Sequence, residues 1–181
     1  MITWPADSEL PSGYPRELEG EFELSDGRNV WIRPILPEDV DDLAEAIEQA
    51  DSETLLHRFF TAAPHLSEKQ IHYLAEVDYH RRLALVAADS DGRGVAVARY
   101  ESLTDRSVAE VAVVVAPEWR SGGLATEMLR RLEAPARRNG FAELDAVYLP
   151  ENHPIARVFE HLGYSEQHIV DGLARVSKAL T

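Results

Sequence analysis

Chemistry is most legible in the stretch Glu110-Val111-Ala112-Val113-Val114-Val115-Ala116-Pro117-Glu118-Trp119-Arg120-Ser121-Gly122-Gly123-Leu124-Ala125. Its first half is a nearly continuous apolar run, as expected of a central strand covered on both faces. A short proline-containing turn then leads into Arg120-Ser121-Gly122-Gly123-Leu124-Ala125 at the start of a helix. The first amides of a helix lack acceptors within it and sit at the positive end of its dipole, so they form an anion site. Gly122, Gly123 and Ala125 are small enough for a phosphate to approach the backbone, and Arg120 adds a cation. Two common nucleotide patterns are excluded. Gly-x4-Gly-Lys-Ser/Thr needs a lysine that is missing here, and Gly-x-Gly-x-x-Gly is absent.

The surrounding pattern supplies the scaffold. Residues 21–24 and 30–32 alternate around Asp26-Gly27, a hairpin signal, and Pro34 and Pro37 stop the second strand. Helices are predicted from residue 38 to about 50, after Ser52, and from Ser67, where Gln70 completes a capping box. Strands follow at 83–88, 94–102 and 108–116, then a helix at 124–139 closed by Asn139-Gly140. Pro135 lies inside that helix and should kink or shorten it. A strand at 144–149, a helix at 154–162 and a hairpin of 164–170 with 173–179 complete an α+β domain of about seven strands and four or five helices. Residues 1–20 read as an extended N-terminal arm, and 21–181 as a single domain.

Composition narrows the function. The 181 residues carry 18 Lys+Arg against 32 Asp+Glu, a net charge of −14. Such a surface suits neither nucleic acid nor an acidic bilayer, while a cationic acceptor is compatible with it. Without cysteine there is no thiolate nucleophile, disulfide or thiolate metal site. The seven histidines show no ligand spacing, so no metal is expected. The start of the chain lacks the pattern of a signal peptide, and a soluble, cytoplasmic protein is expected.

Arg120-x-x-Gly123-x-Ala125 after the apolar strand resembles the acyl-CoA pyrophosphate loop of the GNAT superfamily of N-acyltransferases. Two further segments are similar to that superfamily: Asn152 after a strand, followed by a helix ending in Leu162-Gly163-Tyr164, and the opening Trp31-Ile32-Arg33-Pro34 with Glu38-Asp39. Residues 52–60 and 77–86 resemble bacterial Pat-type protein lysine acetyltransferases. The resemblance implies a GNAT fold with a strongly twisted mixed sheet. It also implies acetyl-CoA as co-substrate and direct transfer to an amine, a protein lysine or a small amine. A protein N-terminus as acceptor, a catalytically silent acyl-CoA-binding module and a homodimer are left open.

The same resemblance assigns residues. Glu110, ten residues before Arg120, matches the general base of lysine-acetylating members; Asp78, Glu101 and Glu118 are weaker substitutes. The backbone of Val113, Val114 and Val115 would hold the acyl carbonyl and pantetheine, and residues Arg120, Ser121, Gly122, Gly123, Leu124, Ala125 and Thr126 the pyrophosphate. Asn152 would bind pantetheine, or serve only as a turn or N-cap residue. Phe159 stands where many relatives place a tyrosine general acid, and it cannot donate a proton. Tyr164 reads better as core, Arg130, Arg131, Arg137 and Arg138 as a solvated helix face, and His57 and His161 as surface or packing residues.

Overall fold

The computed structural model describes residues 1–4, 10–61, 64–103 and 107–181. Among these residues eight strands form one sheet: β1 (Gly20–Glu23), β2 (Asn29–Pro34), β3 (Arg82–Ala88), β4 (Gly94–Ser102), β5 (Val108–Val115), β6 (Glu143–Tyr148), β7 (Ser165–Val170) and β8 (Leu173–Ala179). Their spatial order is β1-β2-β3-β4-β5-β6-β8-β7, one strand more than the expected count. Every neighbouring pair is antiparallel except β5 and β6.

Among the described residues, five α-helices cover the sheet: α1 (Val40–Gln49), α2 (Ser52–Phe59), α3 (Glu68–Ala75), α4 (Leu124–Arg138) and α5 (His153–His161). The Ser67–Gln70 capping box opens α3, as its sequence predicts. Asp51 caps α2 by accepting from the Thr54 amide at 2.9 Å. Pro135 does not shorten α4, which continues to Arg138. Its ring is buried, and the Asn139 amide still reaches the Pro135 carbonyl at 2.9 Å.

Alternation along the strands divides the core. Val111, Leu144, Ala146 and Tyr148 pack with Leu124, Met128 and Leu132 of α4 and with Phe159 of α5. A smaller cluster on the opposite face joins Ala84, Val86 and Ala88 to Ile35, Ala75 and Ile2, with Val40 and Leu43 of α1 against it. The arm therefore contributes core: Ile2 and Leu18 are buried, and the Ile2 amide donates to the Gly92 carbonyl at 2.8 Å. The β2–α1 corner is locked by a buried ion pair. Arg33 grips both Asp39 oxygens at 2.7 Å, and Asp39 also accepts from the Leu36 amide at 2.8 Å.

Candidate active site

The site begins where the parallel ladder stops. β5 and β6 pair only from Val108↔Glu143 to Val111↔Ala146, although β5 runs on to Val115 and β6 to Tyr148. Beyond Val111 the strands separate and leave a cleft of about 690 Å³. The Leu103 and Ala116 amides donate to the Val108 and Val95 carbonyls across the β4–β5 pair. Alternation in an antiparallel pair then turns the backbone of even-numbered β5 residues toward β4 and that of odd-numbered ones toward the opening. Val113 and Val115 thus present backbone to the cleft, whereas the Val114 backbone belongs to the β4 ladder.

The loop after β5 closes one end of this opening. Ser121 (φ 65°) and Gly123 (φ 88°) both adopt left-handed backbone, which only glycine enters without strain. Gly123 is the N-cap of α4 and provides no side-chain cap, so the first-turn amides of Leu124, Ala125 and Thr126 have no acceptor from that quarter. Arg120 is braced across the site: Nε donates to the Val115 carbonyl at 3.1 Å and Nη2 to Thr54 Oγ1 at 2.6 Å. Gly122 has a different task from its neighbours. It is buried, and a Cβ there would lie 2.5 Å from Leu24 Cδ2, so its bareness accommodates the β1–β2 hairpin. The loop is tied to that hairpin by the Ser25 amide, which donates to the Gly122 carbonyl at 3.1 Å.

Glu110 lines the same cleft as this loop. It stands in a row with Glu101 of β4 and Asp145 of β6, its direct cross-strand partners on the face covered by α1–α3. Burial raises the Glu110 carboxyl above its ordinary value. Arg175 and Arg58 oppose this, while Asp145 and Glu101 add to it. A carboxylate so placed is a better proton acceptor than a solvated one. Asp145 is buried, and among the described residues its Oδ1 lacks a hydrogen-bond partner while Arg175 lies 3.8 Å from Oδ2.

The other acids have structural partners. Asp78 accepts from the amides of His80, Arg81 and Arg82 at 2.7–2.9 Å; burial alone would raise its carboxyl, but these bonds hold it below the usual range. Glu101 accepts from the Tyr73 hydroxyl, and exposed Glu118 pairs with Arg93 at 3.4 Å.

At the far wall, Asn152 is the N-cap of α5, its Oδ1 accepting from the Ile155 amide at 3.3 Å. Phe159 lies between Tyr148 and Tyr164, with centroids 5.7 and 5.0 Å away. Tyr164 is buried, and burial pushes its phenol far above its ordinary value. Arg130 and Arg131 both bind Glu127, and Arg138 pairs with Glu17.

Thr54, Arg58, Tyr148 and both His57 and His161 also line the cleft. Local periodicity assigns none of them there, because α2, β6 and α5 meet β5 only in the folded chain. Among the described residues, no group of three His, Cys, Asp or Glu is placed to hold a metal, and no helix is long and apolar enough to cross a membrane.

A splayed parallel pair with the α4 N-terminal loop at its mouth frames the candidate site. Residues 29–165 match the family described as Acetyltransferase (GNAT) domain, and the chain belongs to that family. Enzymes of this class take their acetyl group from acetyl-CoA.

Among relatives, the chain is 30% identical over 165 residues to "Acetyltransferase PA5475" of Pseudomonas aeruginosa, covering 88% of this chain and 89% of that one. It is 27% identical to "Acetyltransferase Pat" of Mycolicibacterium smegmatis over 78% of this chain, but spans only 43% of Pat. The GNAT domain of S. lividans PAT superposes with a TM-score of 0.84 at 31% identity, covering 92% of this chain and 99% of that domain. The fold is shared with yncA of Salmonella typhimurium, solved with its cofactor acetyl-CoA (TM-score 0.69, 22% identity, covering 84% of this chain and 95% of that one).

Proposed function

We propose that the chain binds acetyl-CoA in the β5–β6 opening and transfers the acetyl group directly to a protein lysine, with Glu110 as general base. The observation that carries this reading is the shared cleft: Glu110, the odd-numbered backbone of β5 and the α4 N-terminal loop all line one space. The amides of residues 123–126 and Arg120 bind the pyrophosphate, and the Val113 and Val115 backbone holds the pantetheine and polarises the thioester carbonyl. Asn152 and Phe159 close the pantetheine wall.

An acceptor lysine of ordinary pKa is neutral in only about one molecule in 2,500 at pH 7, a deficit of roughly 4.6 kcal/mol. Glu110 removes that proton, directly or through water, as nitrogen attacks the carbonyl. The C–N bond forms, the C–S bond breaks, and CoA leaves as the thiolate. With Phe159 beside the leaving group, water supplies any proton the thiolate takes up. The acidic row Glu101–Glu110–Asp145 attracts the acceptor ammonium before it is deprotonated.

Titration with acetyl-CoA, followed by thiol release against lysine peptides and small amines, tests the proposal. Saturable binding with turnover on the peptides supports it. Turnover on small amines alone replaces the acceptor assignment, and absence of binding refutes the loop assignment.

A further inference from the structure

A second, smaller space adjoins the main cleft. It measures about 90 Å³ and lies between β4–β5 and helices α1–α3. Thr54, Arg58, Ala112 and Val114 line both spaces, so the two share a wall beside Glu110. Ala112 is the one small residue in the run from Val111 to Val115, and it lines both spaces. An acyl carbonyl held on the Val113 backbone would direct its chain over Ala112 into this recess.

The lining is apolar apart from Thr54 and two guanidinium groups. Arg99 is only 8% exposed, and its Nη2 donates to the Leu74 carbonyl at 2.6 Å. Half-buried Arg58 lies over the Phe59 ring at 5.0 Å. Among the described residues neither enters an ion pair, unlike buried Arg33 with its two bonds to Asp39. Two cations close together without direct counter-charges are an unfavourable arrangement where burial strips their hydration. Burial and mutual repulsion push the Arg99 guanidinium down to about 10, and the carboxylates of Glu101 and Glu110 moderate the charge only from a distance. Arg82 also faces Arg99 with a like charge.

We infer that this recess accepts the tail of an acyl donor ending in a carboxylate, of succinyl length, which Arg58 and Arg99 bind as their missing counter-ion. A space of about 10–15 Å³ by this measure admits one water. At about 90 Å³ the recess has room for several water-sized groups, enough for two methylenes and a carboxylate. The inference rests on the acyl-transfer function proposed above and names a further donor class for the same site. The step remains balanced: the amine nitrogen bonds to the succinyl carbonyl carbon, CoA leaves as thiolate, and the amine proton passes to Glu110.

Calorimetric titration of the whole chain with succinyl-CoA, butyryl-CoA and acetyl-CoA tests it, together with thiol release against one amine. Butyryl-CoA matches the reach of the succinyl chain but places a methyl where the carboxylate would be. The expected result is at least about tenfold tighter binding of succinyl-CoA than of butyryl-CoA. Arg58→Gln should abolish that preference without lowering the melting temperature, since it also relieves the repulsion on Arg99. Equal affinities for succinyl-CoA and butyryl-CoA, with acetyl-CoA still turned over, would overturn the inference and leave the acyl-transfer reading intact. Failure of all three to bind would overturn both.

Discussion

Gly122→Ala probes how the loop proposed to bind the pyrophosphate is built. Gly122 keeps a negative φ, so its backbone tolerates alanine, and any effect must come from the added methyl. That methyl would meet Leu24 Cδ2 at 2.5 Å, Cγ at 2.9 Å and Cβ at 3.0 Å. Because Cβ is among them, a rotamer change of Leu24 does not relieve the clash, and Leu24 is only 2% exposed. Overpacking of this kind costs about 1–3 kcal/mol. If the hairpin yields, the strain is read as stability, roughly 2–4 °C in Tm per kcal/mol for a chain of this size. If the loop yields, it is read as affinity, about 5- to 150-fold in Kd for the same energy. Thermal melting and calorimetric titration with acetyl-CoA measure both. Leu24→Ala alone should destabilise by about 2–5 kcal/mol, but in the double variant it should restore most of the lost affinity. The effects of two touching residues are then less than additive. A Gly122→Ala protein that melts and binds like the parent would refute the packing role of this glycine.

Glu110→Gln should lower kcat/KM by about 10²- to 10⁴-fold and remove the acid limb of the pH profile, whose inflection in the parent lies above the ordinary carboxylate range. Stability should move the other way. A carboxyl raised in the folded state favours folding while protonated, and that contribution is lost as pH rises through the raised value. Glu110→Gln should therefore melt above the parent at pH 7, with the gap fading as pH falls below about 4, where the glutamate becomes protonated in both states. Asp39→Ala leaves Arg33 buried without its carboxylate and should cost about 3–5 kcal/mol in urea unfolding; a loss under 1 kcal/mol would show that the pair is dispensable. Phe159→Tyr should change kcat by less than about threefold, whereas a gain approaching the 10²-fold scale of general acid catalysis would mean the leaving thiolate needs a proton donor.

Signals confined to a few residues translate directly into structure. Asp26-Gly27 makes its turn, and Ser67 and Gln70 exchange their capping bonds. The apolar run into Arg120-Ser121-Gly122-Gly123 becomes β5 and the start of α4, so the candidate loop is legible before folding. What depends on residues far apart in sequence is not. Leu24 against Gly122, Arg120 on Thr54, and Arg58 beside Ala112 bring distant segments together without any local period to announce them. Ile2 looks like part of an extended arm because its core neighbours lie beyond residue 30. Pro135 errs in the other direction: the predicted shortening assumes a lone helix, whereas packing against the sheet holds the last turn of α4 in place.

The short parallel seam between β5 and β6 has a mechanical consequence. Strands β1–β5 form one antiparallel block and β6–β8 another, and only four residue pairs stitch the two across the sheet. A co-substrate lying along the unpaired backbone of β5 extends that seam and acts as a further strand between the blocks. Occupancy should therefore slow hydrogen exchange in β6 and β8, far from the pyrophosphate loop, as well as at the loop itself. Binding and cohesion would then share one element: the gap proposed for the thioester is also where the sheet's two antiparallel blocks part.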